Sequence, residues 1–316
     1  MQKEQAQAIS AQTISEPSLL KDEKETSILT DLKYLFKGLV LVLNVMPVII
    51  GFWLAVYITG GTFSAYLDTF FLTVVGSTFL MAGALSLNNW YEVDLDRVMK
   101  RTLKRPTVTG NIPLHIVLTI GVSCSVFGLV VLMFTTWETT IYAFIGWFTY
   151  VVLYTFWSKR KYTLNTIIGS VSGAVTPLIG WAAIEPAFHI VPIILFIILF
   201  IWQVPHTFAI AIKRYDEYKA AKVPMLPVVY GFDFTKRQIF IYILCLLPLP
   251  YFLAMLGTTF MVVATILNIG WVFLAIRGFF MEDVQKWAKQ IFIYSLNYLT
   301  ILFLMMILVT LPNMSL

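Results

Sequence analysis

Asn88, Asn89, Glu92 and Asp96 stand at spacings that a helix turns into one face. At about 100° per residue, with Asn88 at zero, Glu92 falls at about 40°, Asp96 at about 80° and Asn89 at about 100°. Asp94, at about 240°, falls on the other side. Two carboxamides and two carboxylates stacked in this way offer oxygen ligands to Mg2+, which takes few carboxylates and leaves its other positions to water and substrate phosphate. Lys100, at about 120°, borders the same face and would neutralise further phosphate charge. The helix is expected to run to Arg105, because Pro106 pushes its predecessor out of the α region. A solvated helix end, with Glu92 paired to Arg97 or Lys100 for about a few tenths of a kcal/mol, satisfies the spacing equally well.

A second cluster lies in IWQVPHTFAIAIKRYDEYKAAKVPMLPVVYG. Pro205 removes a backbone donor inside an apolar helix and is expected to kink it. His206 follows it, an ionisable ring within an apolar run, where a functional role competes with a neutral ring bonded to a neighbouring helix. Arg214, Asp216 and Glu217 come next. Carboxylates at two places, each beside Lys or Arg, suit a diphosphate ester held by Mg2+. Diphosphate leaving an allylic carbon develops negative charge that a metal and a guanidinium stabilise. Aromatic faces can shield the cationic carbon left behind.

The elements that must position these groups are membrane helices. The 316 residues are 59% hydrophobic and 12% charged, yet eight charged side chains fall within the fourteen residues 92 to 105. Apolar blocks of about 20 residues recur, each long enough to cross a hydrocarbon core. An all-α polytopic membrane protein is expected, with a polar cytoplasmic tail over 1–37, partly disordered, and one membrane domain over 38–312. Nine spans fit: 38–58, 69–90, 112–134, 139–157, 164–184, 189–212, 238–256, 259–277 and 289–312. The seventh and eighth are separated only at Gly257. With this count all 22 Lys and Arg fall on one side, which places the N-terminus in the cytoplasm and the C-terminus outside. The net charge of +5 therefore speaks for topology and not for nucleic acid. The tail has neither the pattern of a signal peptide nor that of a transit peptide. Cys124 and Cys245 lie in apolar blocks as small apolar residues.

Three segments, NNWYEVDLDRVMKRTLKRP, YTFWSKRKYTLNTIIGSVSGAVTPLIGWAA and the Pro-His segment above, resemble the UbiA superfamily of intramembrane prenyltransferases, and within it the members that act on heme. The resemblance runs from about Leu32 to Leu311. It implies nine helices around a central cavity in a bacterial plasma membrane. It implies farnesyl diphosphate bound through Mg2+, and transfer of its farnesyl group to a vinyl of protoheme IX, with possible hand-over to a heme-modifying or oxidase-assembly protein. By position it implies Asn88, Asn89, Glu92, Asp96, Asp216 and Glu217 as metal ligands, and Asp96, Asp216, Arg214 and His206 as catalytic residues. Lys100, Lys159, Arg160 and Asn44 would bind substrate. Glu92 and Glu217 stand where such relatives usually or often carry Asp, and the first span lacks the Lys-Pro of many relatives. Attachment of a polyprenyl chain to an aromatic quinone precursor would use the same clusters. A carrier of heme or of an anionic lipid would instead be expected to put its charges near the bilayer midplane.

Overall fold

The computed structural model describes residues 27–314 and is all-helical. The expected disordered tail, apart from its last residues, lies outside the described residues. The fold begins before residue 38, because α1 (Ile28–Leu35) is capped by Ser27 and buries Leu35 completely. Then follow α2 (Gly38–Thr59), α3 (Leu67–Tyr91) and the short α4 (Val93–Val98). After α5 (Leu114–Met133), α6 (Trp137–Phe148) continues as a π-helix over Thr149–Ser158. The second half holds α7 (Asn165–Ala174), α8 (Thr176–Ala182), α9 (Ile190–Lys213), α10 (Tyr215–Ala220), α11 (Leu226–Leu246), α12 (Thr258–Arg277) and α13 (Val284–Thr310).

Among the described residues, eight helices are long and apolar enough to cross a bilayer, so the chain is an integral membrane protein with eight long spans rather than the expected nine. The difference lies in 164–184, which breaks into α7 and α8 at Val175. Pro177 has no N–H to give the Gly173 carbonyl, and the Thr176 hydroxyl donates to that carbonyl instead, at 2.6 Å. The broken pair still runs the height of α6. Asn165 donates to the Lys159 carbonyl at one end (3.4 Å), and Thr136 donates to the Ala182 carbonyl at the other (2.8 Å). The long run after Ile239 divides at Gly257, whose φ of 94° suits glycine.

α8 meets α2 backbone to backbone. A Cβ on Gly180 would lie 1.8 Å from the Val48 carbonyl oxygen, and one on Gly51 would lie 2.1 Å from that of Pro177. Small residues at such a crossing let two membrane helices gain dispersion contacts where lipid supplies no hydrophobic drive. Trp181, Trp271, Trp287 and Tyr298 are fully buried inside the bundle, while Phe71, Ile266 and Phe273 face outward and are largely exposed.

Candidate active site

α3 and α4 carry the first cluster almost as one helix. Glu92 forms the joint, with φ −98° and ψ 15°, and its N–H still reaches the Asn88 carbonyl while the Asp96 N–H reaches the Glu92 carbonyl. The face therefore persists through the joint. Asn88, Asn89, Glu92 and Asp96 are all buried, and Asp94 points outward. The helix stops at Val98 and not at Arg105. Met99 turns extended, and the Thr102 hydroxyl donates to the Asp96 carbonyl at 2.7 Å, taking up a carbonyl that the next turn would have used. Lys100 is thereby carried off the face to an exposed turn, so the expectation that it borders the buried ligands fails.

Each buried carboxylate meets a cation. Lys159 Nζ lies 2.5 Å from Glu92 Oε2, and Arg105 is paired with Asp96. Lys37, at the junction of α1 and α2, donates to Asn88 Oδ1 at 2.6 Å, and Asn88 Nδ2 donates to the Thr155 hydroxyl at 3.1 Å. Asn89 Nδ2 donates to the Leu35 carbonyl at 2.7 Å, which ties α1 to the cluster. Lys37 and Arg105 were not singled out in the sequence. The signal for Lys37 was a cation beside the first span, and for Arg105 a cation held by the proline that follows it.

Three basic side chains thus surround two buried carboxylates. Burial, and then the neighbouring Arg105, pull the Lys37 ammonium well below the usual lysine range. Burial works against the charge on Lys159 too, but the Glu92 carboxylate and the Tyr154 and Tyr218 phenols outweigh it and hold its ammonium above the usual range. Basic groups in excess of carboxylates in a poorly hydrated site are a place for an anion, whose charge would favour the protonated form of Lys37.

The second cluster is differently placed. Arg214 Nη1 donates to Glu217 Oε1 at 2.8 Å, and Asp216 is exposed at the start of α10. Tyr218 is buried on that short helix. It packs with Leu95, Met99, Ala211, Val223 and Met225, a patch that clamps the α4 segment against the α10 segment. The two acidic segments therefore share one end of the bundle.

Among the described residues, no group of three His, Cys, Asp or Glu is gathered as a metal would require. The donor chemistry nonetheless fits a hard cation. Glu92 Oε1, Asn89 Oδ1 and Glu217 Oε2 are buried without a hydrogen-bond partner, which is costly for an oxygen unless something positive completes it.

Arg160 holds Asp94 by two bonds of 2.7 Å and lies over the Tyr91 ring, away from the buried face. The Arg160 hydrogen bond holds the Asp94 carboxyl below the usual aspartate range. That pair stabilises the fold above the unfolded carboxyl pKa of about 3.9, and its contribution is lost as pH falls through the lower folded value. Asp94 is 61% exposed, so Asp94→Asn is expected to cost less than about 1 kcal/mol at pH 7 and nothing in acid, as thermal unfolding at the two pH values would measure.

One helical turn from the cluster lies a mostly apolar cavity of about 1060 Å³ of empty space, some of it open to the outside. Ala84 and Leu85, one turn before Asn88 and Asn89, line it, as do Tyr150 and Tyr154 of the π-helix. The wider π turn is what brings Lys159 over the Tyr154 ring, 5.4 Å from its centroid, and onto Glu92. Asn44 lines the same cavity, with its amide donating to the Val40 carbonyl at 2.7 Å. His206 lies in the wall of a neighbouring chamber. Pro205 precedes it within α9, which passes through unbroken from Ile190 to Lys213.

A bundle of membrane helices, with oxygen ligands and basic side chains one helical turn from an apolar cavity, defines an intramembrane enzyme for a substrate with an anionic head and a hydrocarbon tail. The chain belongs to the UbiA prenyltransferase family, whose model matches residues 44–296, and it is a prenyltransferase. It is 53% identical over 306 residues to the protoheme IX farnesyltransferase of Oceanobacillus iheyensis, covering 96% of this chain and 98% of that one. It is 52% identical over 298 residues to the protein of the same name from Bacillus cereus, covering 94% and 97%. Among solved structures, the fold is similar to that of a digeranylgeranylglyceryl phosphate synthase, with a TM-score of 0.72, 19% identity and coverage of 90% and 99%. A UbiA homologue from Archaeoglobus fulgidus bound to GPP and Mg2+ has a TM-score of 0.68 at 16% identity, covering 90% and 100%.

Proposed function

We propose that the chain transfers the farnesyl group of farnesyl diphosphate to a vinyl group of protoheme IX. The observation that carries the diphosphate half is the set of three basic side chains around Glu92 and Asp96, one helical turn from an apolar cavity. The heme half rests on similarity to the two farnesyltransferases.

Asn88, Asn89, Glu92 and Asp96, with Asp216 and Glu217 across the Tyr218 patch, would hold Mg2+. When bound, Mg2+ supplies positive charge to the departing diphosphate. Lys37, Lys159 and Arg105 face the same anion and strengthen as it gains charge. Arg214 would reach it from the second segment and Asn44 lines the cavity, while Arg160, expected to bind substrate, is held on Asp94 away from this face. The prenyl tail lies along the apolar cavity, where Trp147, Tyr150 and Tyr154 present aromatic faces to the allylic carbon. The C–O bond to diphosphate breaks as that carbon bonds to the terminal vinyl carbon. The cation left beside the porphyrin ring takes hydroxide from water, and the remaining proton is released.

Taken as the ninth crossing, the α7 and α8 pair supports a membrane domain over 38–312 with the N-terminus in the cytoplasm, the C-terminus outside, and both acidic segments on the cytoplasmic face of a bacterial plasma membrane. The product passes to a heme-modifying or oxidase-assembly protein. Membranes containing the protein, given protoheme IX, farnesyl diphosphate and Mg2+, are expected to yield a heme heavier by a hydroxyethylfarnesyl substituent in mass analysis. No such heme, while a relative of known activity makes it, would refute the reading.

A further inference from the structure

The second chamber lies between α2, α9 and α13 and encloses about 1280 Å³, again partly open. Its walls are mostly apolar, with Trp202, Leu296, Leu299 and Phe303 among them, and His206 is the one ionisable side chain in its lining. It meets the prenyl cavity at Val40, Asn44, Gly173, Gln203 and Thr207, which line both.

The His206 ring is fixed on three sides. It stacks on Trp202 with ring centroids 4.7 Å apart and tilts against Phe292 at 5.1 Å. Its Nδ1 lies 2.7 Å from Ser295 Oγ. The Ser295 hydroxyl also lies 2.7 Å from the Phe292 carbonyl, and with its hydrogen placed there its oxygen accepts from the ring. In that arrangement Nδ1 carries the proton and Nε2 keeps its lone pair. Trp202 Nε1 donates to the Ser295 carbonyl at 2.8 Å and locks the same serine from its other end. Among the described residues no hydrogen bond is formed at Nε2. An imidazole whose far nitrogen is held by a hydrogen bond and whose near nitrogen is bare is the arrangement in which proteins present histidine to a metal.

Lys213 sits seven residues further along α9. That is about two turns, or roughly 10.5 Å, within about 20° of the same face. Its Nζ lies 4.1 Å from the Phe292 ring centroid, so Phe292 touches both His206 and Lys213. The separation is comparable with that between the metal of a porphyrin and its propionate carboxylates.

We propose that the second chamber is the porphyrin site, with His206 Nε2 as an axial ligand to the heme iron and Lys213 at its inner end pairing with a propionate. The identity of the occupant rests on the transfer reading above, while the bare nitrogen and the chamber do not. The common wall at Asn44, Gln203 and Thr207 then puts one edge of the ring against the prenyl cavity, where a vinyl group would meet the allylic carbon.

The test uses the full chain in lipid nanodiscs, titrated with ferric protoheme in the absence of farnesyl diphosphate. The wild type is expected to give the absorption and electron paramagnetic resonance signature of a histidine-ligated iron. His206→Gly should lose that signature and bind ferric protoheme at least about tenfold more weakly, and added imidazole should restore the signature. Metal-free protoporphyrin IX should bind both forms alike. Leu299→Trp, which fills the chamber and leaves His206 in place, should weaken binding of both porphyrins. An unchanged iron signature in His206→Gly, or full porphyrin binding in Leu299→Trp, would overturn the site. Histidine-ligated heme without farnesylated product in the complete reaction refutes the transfer and keeps the site. Product from a protein with no histidine signature keeps the transfer and refutes the site.

Discussion

Asp96→Asn is expected to lower kcat for farnesyl transfer by at least about a hundredfold while the protein stays folded in the membrane. Asparagine keeps the shape of the side chain and an oxygen for Arg105, so the buried partner is not stranded. It removes the negative charge, which in a buried site is the part a metal and a departing diphosphate respond to. Alanine would be a poorer probe. Arg105 is 8% exposed, and an unpaired guanidinium there would destabilise the fold by about 3–5 kcal/mol, mixing misfolding with lost chemistry. A double variant, Asp96→Leu with Arg105→Leu, separates the two. It should regain most of the stability of the wild type, because replacing both partners leaves no buried charge, and it should regain none of the activity. Near-normal kcat in Asp96→Asn, or activity in the double variant, would reduce Asp96 to a structural partner of Arg105. Both outcomes are read by product formation beside thermal unfolding of the same preparations.

The face formed by Asn88, Asn89, Glu92 and Asp96 was legible because helical periodicity survives the small break at Glu92, and the exclusion of Asp94 followed from the same angle. Lys100 was misplaced for a related reason. Its position depended on a helix that continues to Arg105, and the bond from Thr102 to the Asp96 carbonyl ends that helix early. Lys37 was beyond reach because it arrives at the cluster on another segment, and Arg105 because the chain must turn after Val98 to bring it back onto Asp96. α1 must fold back onto α3 before Lys37 can meet Asn88, 51 residues away. The spans were legible from hydropathy, but one feature within them was not. A proline in an apolar run can be absorbed or can break the helix. Pro205 is absorbed within α9, while Pro177 separates two helices where a hydroxyl takes the carbonyl it leaves free. The partner of His206 was equally hidden, since Ser295 lies 89 residues on.

The resting cluster also says what substrate must do on arrival. Glu92 and Asp96 are each neutralised by a cation that an incoming diphosphate would claim, so binding exchanges partners rather than filling an empty site. Lys159 is the sharpest test of that exchange. Lys159→Met is expected to raise KM for farnesyl diphosphate by about 10–100-fold, the worth of one charge-assisted hydrogen bond of about 1.5–3 kcal/mol. Inhibition by inorganic diphosphate should weaken by a similar factor, because the contact is to the head of the substrate and not to its tail. The competing explanation is that Lys159 only shields Glu92, and that the loss comes from a carboxylate left unpaired in a site where Glu92 is 3% exposed. Glu92→Gln combined with Lys159→Met removes that carboxylate charge along with the lysine. If shielding is the whole role, the double variant recovers diphosphate affinity over Lys159→Met alone. If Lys159 is released to the substrate, affinity stays low in the double variant, since the cation that would meet the phosphate is still missing. Inorganic diphosphate binding measured by calorimetry on the four proteins of this cycle decides between the two without relying on turnover, and recovery in the double variant would rule out the exchange.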